Sequence, residues 1–208
     1  MAECDALGDL AFGPVSMLIW MAAYRRDIAR YTAYSGGGRL VQLLTQQGLW
    51  ALFQYRLAAA LYQSACPGLL KRPLLVAAVV WQKGIEILTG ISLPYTARIG
   101  AGLYIGHFGN IIVNGGAVIG EHCNLSQGVT IGVSGRGRQR GVPIVGQRVY
   151  IGANAVVAGK IRVADDVVIA ANSLVNTDVP AQSVVMGVPA QVVSRQGSAA
   201  YINPRNAR

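Results

Sequence analysis

The chain of 208 residues holds two histidines, and one of them, His107, stands where a repeating pattern loses step. Imidazole gains and loses a proton near neutrality, so a histidine carried on a loop suits the removal of a proton from a hydroxyl. The second candidate is a cationic stretch, Arg136-Gly137-Arg138-Gln139-Arg140, at another break in the pattern. Guanidinium groups on a flexible loop suit phosphate oxygens, or a cover over a site. His122, between Glu121 and Cys123, falls on a position that should face solvent. Cys4, Cys66 and Cys123 have neither disulfide nor metal spacing, and Cys123 occupies a place where small apolar residues belong.

These groups are positioned by a repeat. From residue 93 to residue 179 an aliphatic residue recurs every six positions, and Val145, Ile151, Val157, Val163, Ile169 and Val175 keep step without a slip. Four places after each opener comes a small or aliphatic residue, such as Ala97, Leu103, Ala117, Val149 or Val167. This is a hexapeptide repeat of the β-helix kind, whose units are too short to bury anything until they stack. Two steps depart from six: Ile105 to Val113 is eight, and Ile131 to Val145 is fourteen, which ejects about eight residues at 134–141. Departures from a solenoid's period map to loops, and loops carry function.

Composition narrows the class. The 26 glycines fall largely at second positions of the repeat, and with 52% hydrophobic residues they point to a folded solenoid rather than disorder. Before the repeat, Met17, Met21, Tyr24, Ile28 and Tyr31 follow helical spacing, Arg25, Arg26, Asp27 and Arg30 fall elsewhere on the wheel, and Gly36-Gly37-Gly38 ends the element. A second helix is expected over 40–63 and a third over 73–85, the latter apolar nearly all round. Such a helix must pack against protein, here the first two helices or another subunit, or lie on a membrane surface. No apolar run reaches the roughly 18 residues that span a bilayer, and the N-terminus shows no signal peptide, so a cytoplasmic protein is expected, with the inner face of the membrane as an alternative site. The net charge of +9 suits a phosphate-rich cofactor or an anionic membrane; nucleic acid is disfavoured, since the basic residues are scattered without a recognition motif. The expected organisation is a helical region at 1–86 with residues 1–13 loose, a β-helix at 87–194 capped by 180–190, and a mobile basic tail at 195–208.

The segments Ala97-Arg98-Ile99-Gly100, Gly106-His107-Phe108-Gly109, Gln127-Gly128-Val129-Thr130-Ile131-Gly132 and Gly187-Val188-Pro189-Ala190, with the ejected loop, resemble the serine acetyltransferase branch of the hexapeptide-repeat acyltransferases. Tyr55-Arg56-Leu57 and Leu61-Tyr62 are similar to the lead-in of polysaccharide acetyltransferases. The resemblance implies a mainly β fold, a left-handed parallel β-helix with an N-terminal α-helical segment, three strands and about 18 residues per coil. It also implies homotrimers, with dimers of trimers as a further option, and active sites between prisms. Acetyl-CoA is the implied acyl donor and His107 the implied base; no metal is expected, because two histidines cannot make a three-histidine zinc site within one chain. Cofactor contacts are expected from Gly132, Ser134, Ala153 and Ala171, the last two 18 residues apart and therefore stacked, and from Arg138 and Lys160. No serine or cysteine stands in a nucleophilic motif, so direct transfer is expected.

The chain departs from the serine enzymes at the acceptor. Ser92 stands where they carry an aspartate that orients the base, Gly106 where a second aspartate precedes the histidine, and Gly141-Val142 where an Arg-His pair binds substrate. Ser92 is expected to hydrogen-bond His107 as a neutral partner. Without charged groups for an ammonium and a carboxylate, the expected acceptor is a sugar hydroxyl of a surface polysaccharide or lipid-linked saccharide precursor. Serine O-acetylation in cysteine biosynthesis is the alternative, and a non-catalytic trimeric scaffold is an alternative of another class.

Overall fold

The structure, a computed structural model, describes residues 17–35, 38–137 and 140–202. The expectations for residues 1–13, Cys4, Gly36, Gly37, Arg138, Gln139 and 203–208 lie outside the described residues.

The repeat folds into a left-handed β-helix with three parallel sheets. Sheet A stacks β1 (Ile91–Ser92), β4 (Ile111–Val113), β7 (Thr130–Gly132), β10 (Val156–Ala158) and β13 (Leu174–Val175). Sheet B stacks β2 (Arg98–Ile99), β5 (Val118–Ile119), β8 (Ile144–Val145) and β11 (Arg162–Val163). Sheet C stacks β3 (Tyr104–Ile105), β6 (Asn124–Leu125), β9 (Tyr150–Ile151), β12 (Val168–Ile169), β14 (Val184–Gly187) and β15 (Ala190–Ser194). In a regular coil Ile112 pairs with Thr130 and Val156 with Leu174, 18 positions on. Ile91 pairs with Ile111, 20 on, and Thr130 with Val156, 26 on, so both irregular steps are absorbed outside the ladders. Every opener from Leu93 to Val175 is buried. So is every residue four places on, except Gly109 and Gly135, and these two lie in the two excursions.

A solenoid end exposes unpaired backbone groups, and here helices cover them. The helices are α1 (Met17–Ser35), α2 (Arg39–Thr45), α3 (Gln47–Gln63) and α4 (Gly68–Thr89). The Tyr31 hydroxyl of α1 donates to the Ile105 carbonyl and accepts the Ile105 N–H, both at 3.0 Å. The Tyr55 hydroxyl of α3 does the same for β2, donating to Ala97 O at 2.9 Å and accepting from Ile99 N at 3.0 Å. Each hydroxyl takes the place of a missing strand. Asp27 accepts the Gly102 and Leu103 N–H groups at 2.7 and 3.0 Å, while Arg56 donates to the Ile99 and Gly100 carbonyls at 2.5 and 2.6 Å. The two side chains also pair with each other at 2.9 Å, both buried. Gly48 is required: a Cβ there would stand 2.1 Å from the Tyr31 hydroxyl oxygen.

Several helix expectations need correction. Asp27 and Arg30, placed by periodicity off the apolar face of α1, are buried against the prism, because the surface to be covered is a rim of peptide groups rather than an apolar one. The helix expected over 40–63 is broken at Gln46, which is extended (φ −98°, ψ 103°), and Trp50 Nε1 bridges the break by donating to Leu43 O at 2.8 Å. The helix expected from 73 to 85 runs from Gly68 to Thr89, with Pro73 inside it, so it passes the expected boundary at residue 86. Pro73 is tolerated because the carbonyl it deprives lies in the solvent-facing first turn. α4 packs on α3, with Trp81 edge-on to Phe53, and buries Gln82, Ile85 and Thr89, while Leu69, Val76, Val80, Ile87 and Leu88 stay exposed. Among the described residues no helix is long and apolar enough to cross a membrane.

At the far end β14 and β15 form an antiparallel hairpin that extends sheet C, with a cis peptide bond at Val188–Pro189. Residues 195–202 are not a loose tail. Ser198 is buried with its hydroxyl donating to Arg148 O at 2.5 Å, Tyr201 packs on Tyr150, and the Tyr201 carbonyl accepts from the Tyr34 hydroxyl of α1 at 2.9 Å. The chain end thus ties sheet C to the helical cap.

His122 belongs to that cap. It holds the left-handed corner between sheets B and C (φ 58°), and its ring nitrogens lie 2.9 Å from Arg26 Nη2 and 3.2 Å from Arg30 Nη1. Burial, then the charges of Arg30, Arg26 and Arg148, hold its pKa below the ordinary imidazole value, against the pull of Glu121. The folded state therefore prefers the neutral ring, and the unfolded chain binds the proton more readily. This contribution is present above an unfolded pKa of about 6.5 and is lost as pH falls below it. His122→Asn keeps a residue suited to the left-handed corner. The variant is expected to show a smaller fall in Tm between pH 7.5 and 5.5 than the parent, measured by thermal melts at fixed ionic strength; equal falls would refute this role.

Candidate active site

His107 sits in the exposed turn between β3 and β4, at the edge where sheet C passes into sheet A. A ladder of backbone bonds descends that edge: Gly109 N–H to Thr89 O, Gly128 N–H to Gly109 O and Asn154 N–H to Gln127 O at 2.9 Å each, then Asn172 N–H to Ala153 O at 2.8 Å. His107, Ala153 and Ala171 therefore occupy one column of turns. The histidine loop rests on the end of α4, since Ile111 N–H also donates to Gly90 O at 2.9 Å. Gly90 closes α4 in a left-handed conformation (φ 65°), and a Cβ on it would meet Asn110 N at 2.9 Å. Helix termination and loop seating thus depend on one glycine.

Gly132, Ser134 and Lys160 stand at the opposite edge of sheet A, where it passes into sheet B. Ser134 and Gly141 exchange two backbone bonds at 3.1 and 3.0 Å, closing the base of the cationic excursion. A Cβ on Gly132 would meet nothing nearer than Thr130 Cγ2 at 3.5 Å, so the chain's own packing does not demand glycine there. The space it leaves faces outward. Between the two edges run the outward residues of sheet A, which pair Ser92 with Ile112, then Thr130, Val156 and Leu174. The expected site residues are thus gathered into two groups on either side of one sheet.

The position of Ser92 corrects an expectation. Its hydroxyl donates to Glu86 Oε1 of α4 at 2.7 Å. Glu86 also accepts from Gln82 Nε2 at 2.8 Å and from Lys83 Nζ at 2.6 Å. Burial pushes its carboxyl up, yet the hydrogen bonds from Lys83, Ser92 and Gln82 outweigh that and hold it below the usual carboxylate range. The sequence reading passed over Glu86. The available signal was its place in the last turn of α4, where the helix dipole disfavours an anion. Cys123 is buried and its thiol is pushed up to about 12 by burial, which suits packing rather than nucleophilic attack. Among the described residues no three His, Cys, Asp or Glu side chains gather as a metal site would require.

Residues 143–177 match the bacterial transferase hexapeptide (six repeats) family model. Over 153 residues the chain is 35% identical to a serine acetyltransferase of Helicobacter pylori (strain J99), covering 74% of this chain and 85% of that one. The chain belongs to the serine acetyltransferase family of hexapeptide-repeat transferases. A serine acetyltransferase of Synechococcus elongatus is 34% identical over 155 residues, and this chain spans 60% of its length. The structure of the Neisseria gonorrhoeae serine acetyltransferase in complex with serine matches with a TM-score of 0.74 at 30% identity, covering 86% of this chain and 71% of that one. This family member is an O-acetyltransferase, with acetyl-CoA as donor.

Membership overturns the expectation of a sugar acceptor and of a role in polysaccharide synthesis, because these relatives are serine acetyltransferases. It also removes the scaffold reading. Charged groups missing at aligned positions therefore do not exclude a serine acceptor. A carboxylate absent from position 92 is present on the adjoining helix, in contact with Ser92.

Proposed function

We propose that this acetyltransferase transfers the acetyl group of acetyl-CoA to the hydroxyl of serine. The observation that carries the reading is the 35% identity to a serine acetyltransferase across 85% of its length. In this reading His107 takes the hydroxyl proton as the oxygen attacks the thioester carbonyl, and the proton passes to the departing coenzyme A thiolate. Backbone N–H groups near Gly132 and Ala153 steady the oxyanion. Ala153 and Ala171, lacking bulk, let the pantetheine arm approach, while Ser134, Lys160 and the cations of the excursion, Arg138 among them, meet the phosphates.

The separation of His107 from Gly132 and Lys160 across sheet A favours a homotrimer. One prism then contributes the histidine edge and its neighbour the edge with the excursion, so each site lies between two copies. Release of free thiol from acetyl-CoA should rise and saturate with added serine, in a particle with the mass of three chains. A rate indifferent to serine would overturn the acceptor, and a monomeric mass would overturn the shared site.

A further inference from the structure

The fourth helix is covered on one side only. Its less exposed residues Leu75, Ala78, Gln82, Ile85 and Thr89 recur at steps of three and four, which sets them on one stripe of the helix. On the opposite side Leu69, Pro73, Val76 and Val80 follow the same steps and form a second stripe. Leu69, Val76 and Val80 are 89%, 64% and 67% exposed. Single exposed aliphatics are ordinary on a protein surface, whereas an apolar line about 16 Å long marks a contact surface. None of the described helices, α4 among them, is long and apolar enough to cross a membrane. A surface of this kind therefore lies against something rather than passing through it.

The charge around the line selects its partner. Arg72 and Lys83, both exposed, fall together on one flank of it. Across residues 17–89 eight Lys and Arg stand against two acidic residues. Of these two, Asp27 is buried on Arg56, and Glu86 is engaged by Gln82, Lys83 and Ser92. A second copy offering the same stripe would bring like charges together and supply no carboxylate to meet them. Anionic lipid headgroups supply that charge. We propose that α4 lies along the surface of an anionic bilayer, with Leu69, Val76 and Val80 sunk into the boundary between headgroups and acyl chains and Arg72 at the level of the phosphates. Long basic side chains suit this place, because their stems rest on apolar surface while the charged heads stay in water. The inference is independent of the acceptor and of His107.

The test is sedimentation of the full chain with vesicles of phosphatidylcholine containing about one third phosphatidylglycerol, against vesicles of phosphatidylcholine alone. The protein should pellet with the first and stay in solution with the second, and added salt should release it. Arg72→Glu, which reverses one charge, should weaken binding about thirtyfold, and Val76→Ser combined with Val80→Ser about tenfold. All three positions are exposed, so Tm without lipid should not change. Arg136→Glu combined with Arg140→Glu, in the cationic excursion, should bind like the parent. Equal binding to both kinds of vesicle would overturn the anionic surface, and binding to neither would overturn the contact itself. Loss confined to the excursion variant would move the contact off α4 and sink the proposal. So would a mass of six chains that Val76→Ser with Val80→Ser reduces to three, since another copy would then cover the stripe.

Discussion

Replacing His107 with alanine should lower kcat for thiol release by about 10²- to 10⁴-fold, the range that general-base catalysis supplies. That corresponds to about 3–5 kcal/mol of lost transition-state stabilisation. The fold should not notice. The imidazole is exposed, and the loop that bears it is held by the backbone bonds of Gly109 and Ile111 to the end of α4, which the substitution leaves intact. Coenzyme A affinity should also persist, because the remaining cofactor candidates lie along other turns and at the far edge of sheet A. A fall in kcat with unchanged Tm and unchanged KM for acetyl-CoA is therefore the signature of the base. His107→Asn is the sharper control, since it keeps a polar side chain that cannot take up a proton at neutral pH. Wild-type turnover in either variant would remove His107 from the mechanism and leave catalysis to proximity alone.

The solenoid was legible because its cause is local and repeated. A buried aliphatic every six residues is a statement about side chains alone, and the two interruptions announced themselves as arithmetic. Even the exceptions at Gly109 and Gly135 followed from the loops they occupy. What periodicity could not reveal is the cap. Tyr31 serves Ile105, and Asp27 serves Gly102 and Leu103, more than 70 residues away, through side-chain bonds to backbone. Nothing in the spacing of α1 distinguishes an aspartate facing water from one facing unpaired peptides. The same blindness hid the surroundings of Ser92. Ser92 was judged by what it lacks, while the charge that bears on it comes from Glu86, in a segment outside the repeat. A solenoid fixes the positions of its turns with great regularity, but its chemistry also depends on whatever is laid against its end.

That dependence makes Asp27→Ala the substitution with the largest expected effect on stability. It strands the buried Arg56 guanidinium and leaves the Gly102 and Leu103 N–H groups without their acceptor. Removing one member of a buried, hydrogen-bonded pair typically costs about 3–5 kcal/mol, most of it from the charge left behind. Asp27→Asn should cost less, because its amide oxygen can still accept from the two backbone groups. A solenoid need not unfold as one unit, so the loss should be local. Hydrogen exchange should quicken at the amides of Ile99, Gly102, Leu103 and Ile105, which the cap protects, and stay slow at Val157 and Ile169 in the middle of the prism. The damage should then reach the site by a defined route. Arg56 lies on α3, α3 packs on α4 with Gln54 Nε2 donating to Ala78 O at 3.1 Å, and α4 carries both Glu86 and the seat of the His107 loop. Activity should therefore fall together with cap protection as temperature rises, well below the melting of the prism core. If Asp27→Ala matched the parent in exchange and in thermal inactivation, the helices would be passengers on the β-helix rather than the element that holds its first coil and its catalytic edge in shape.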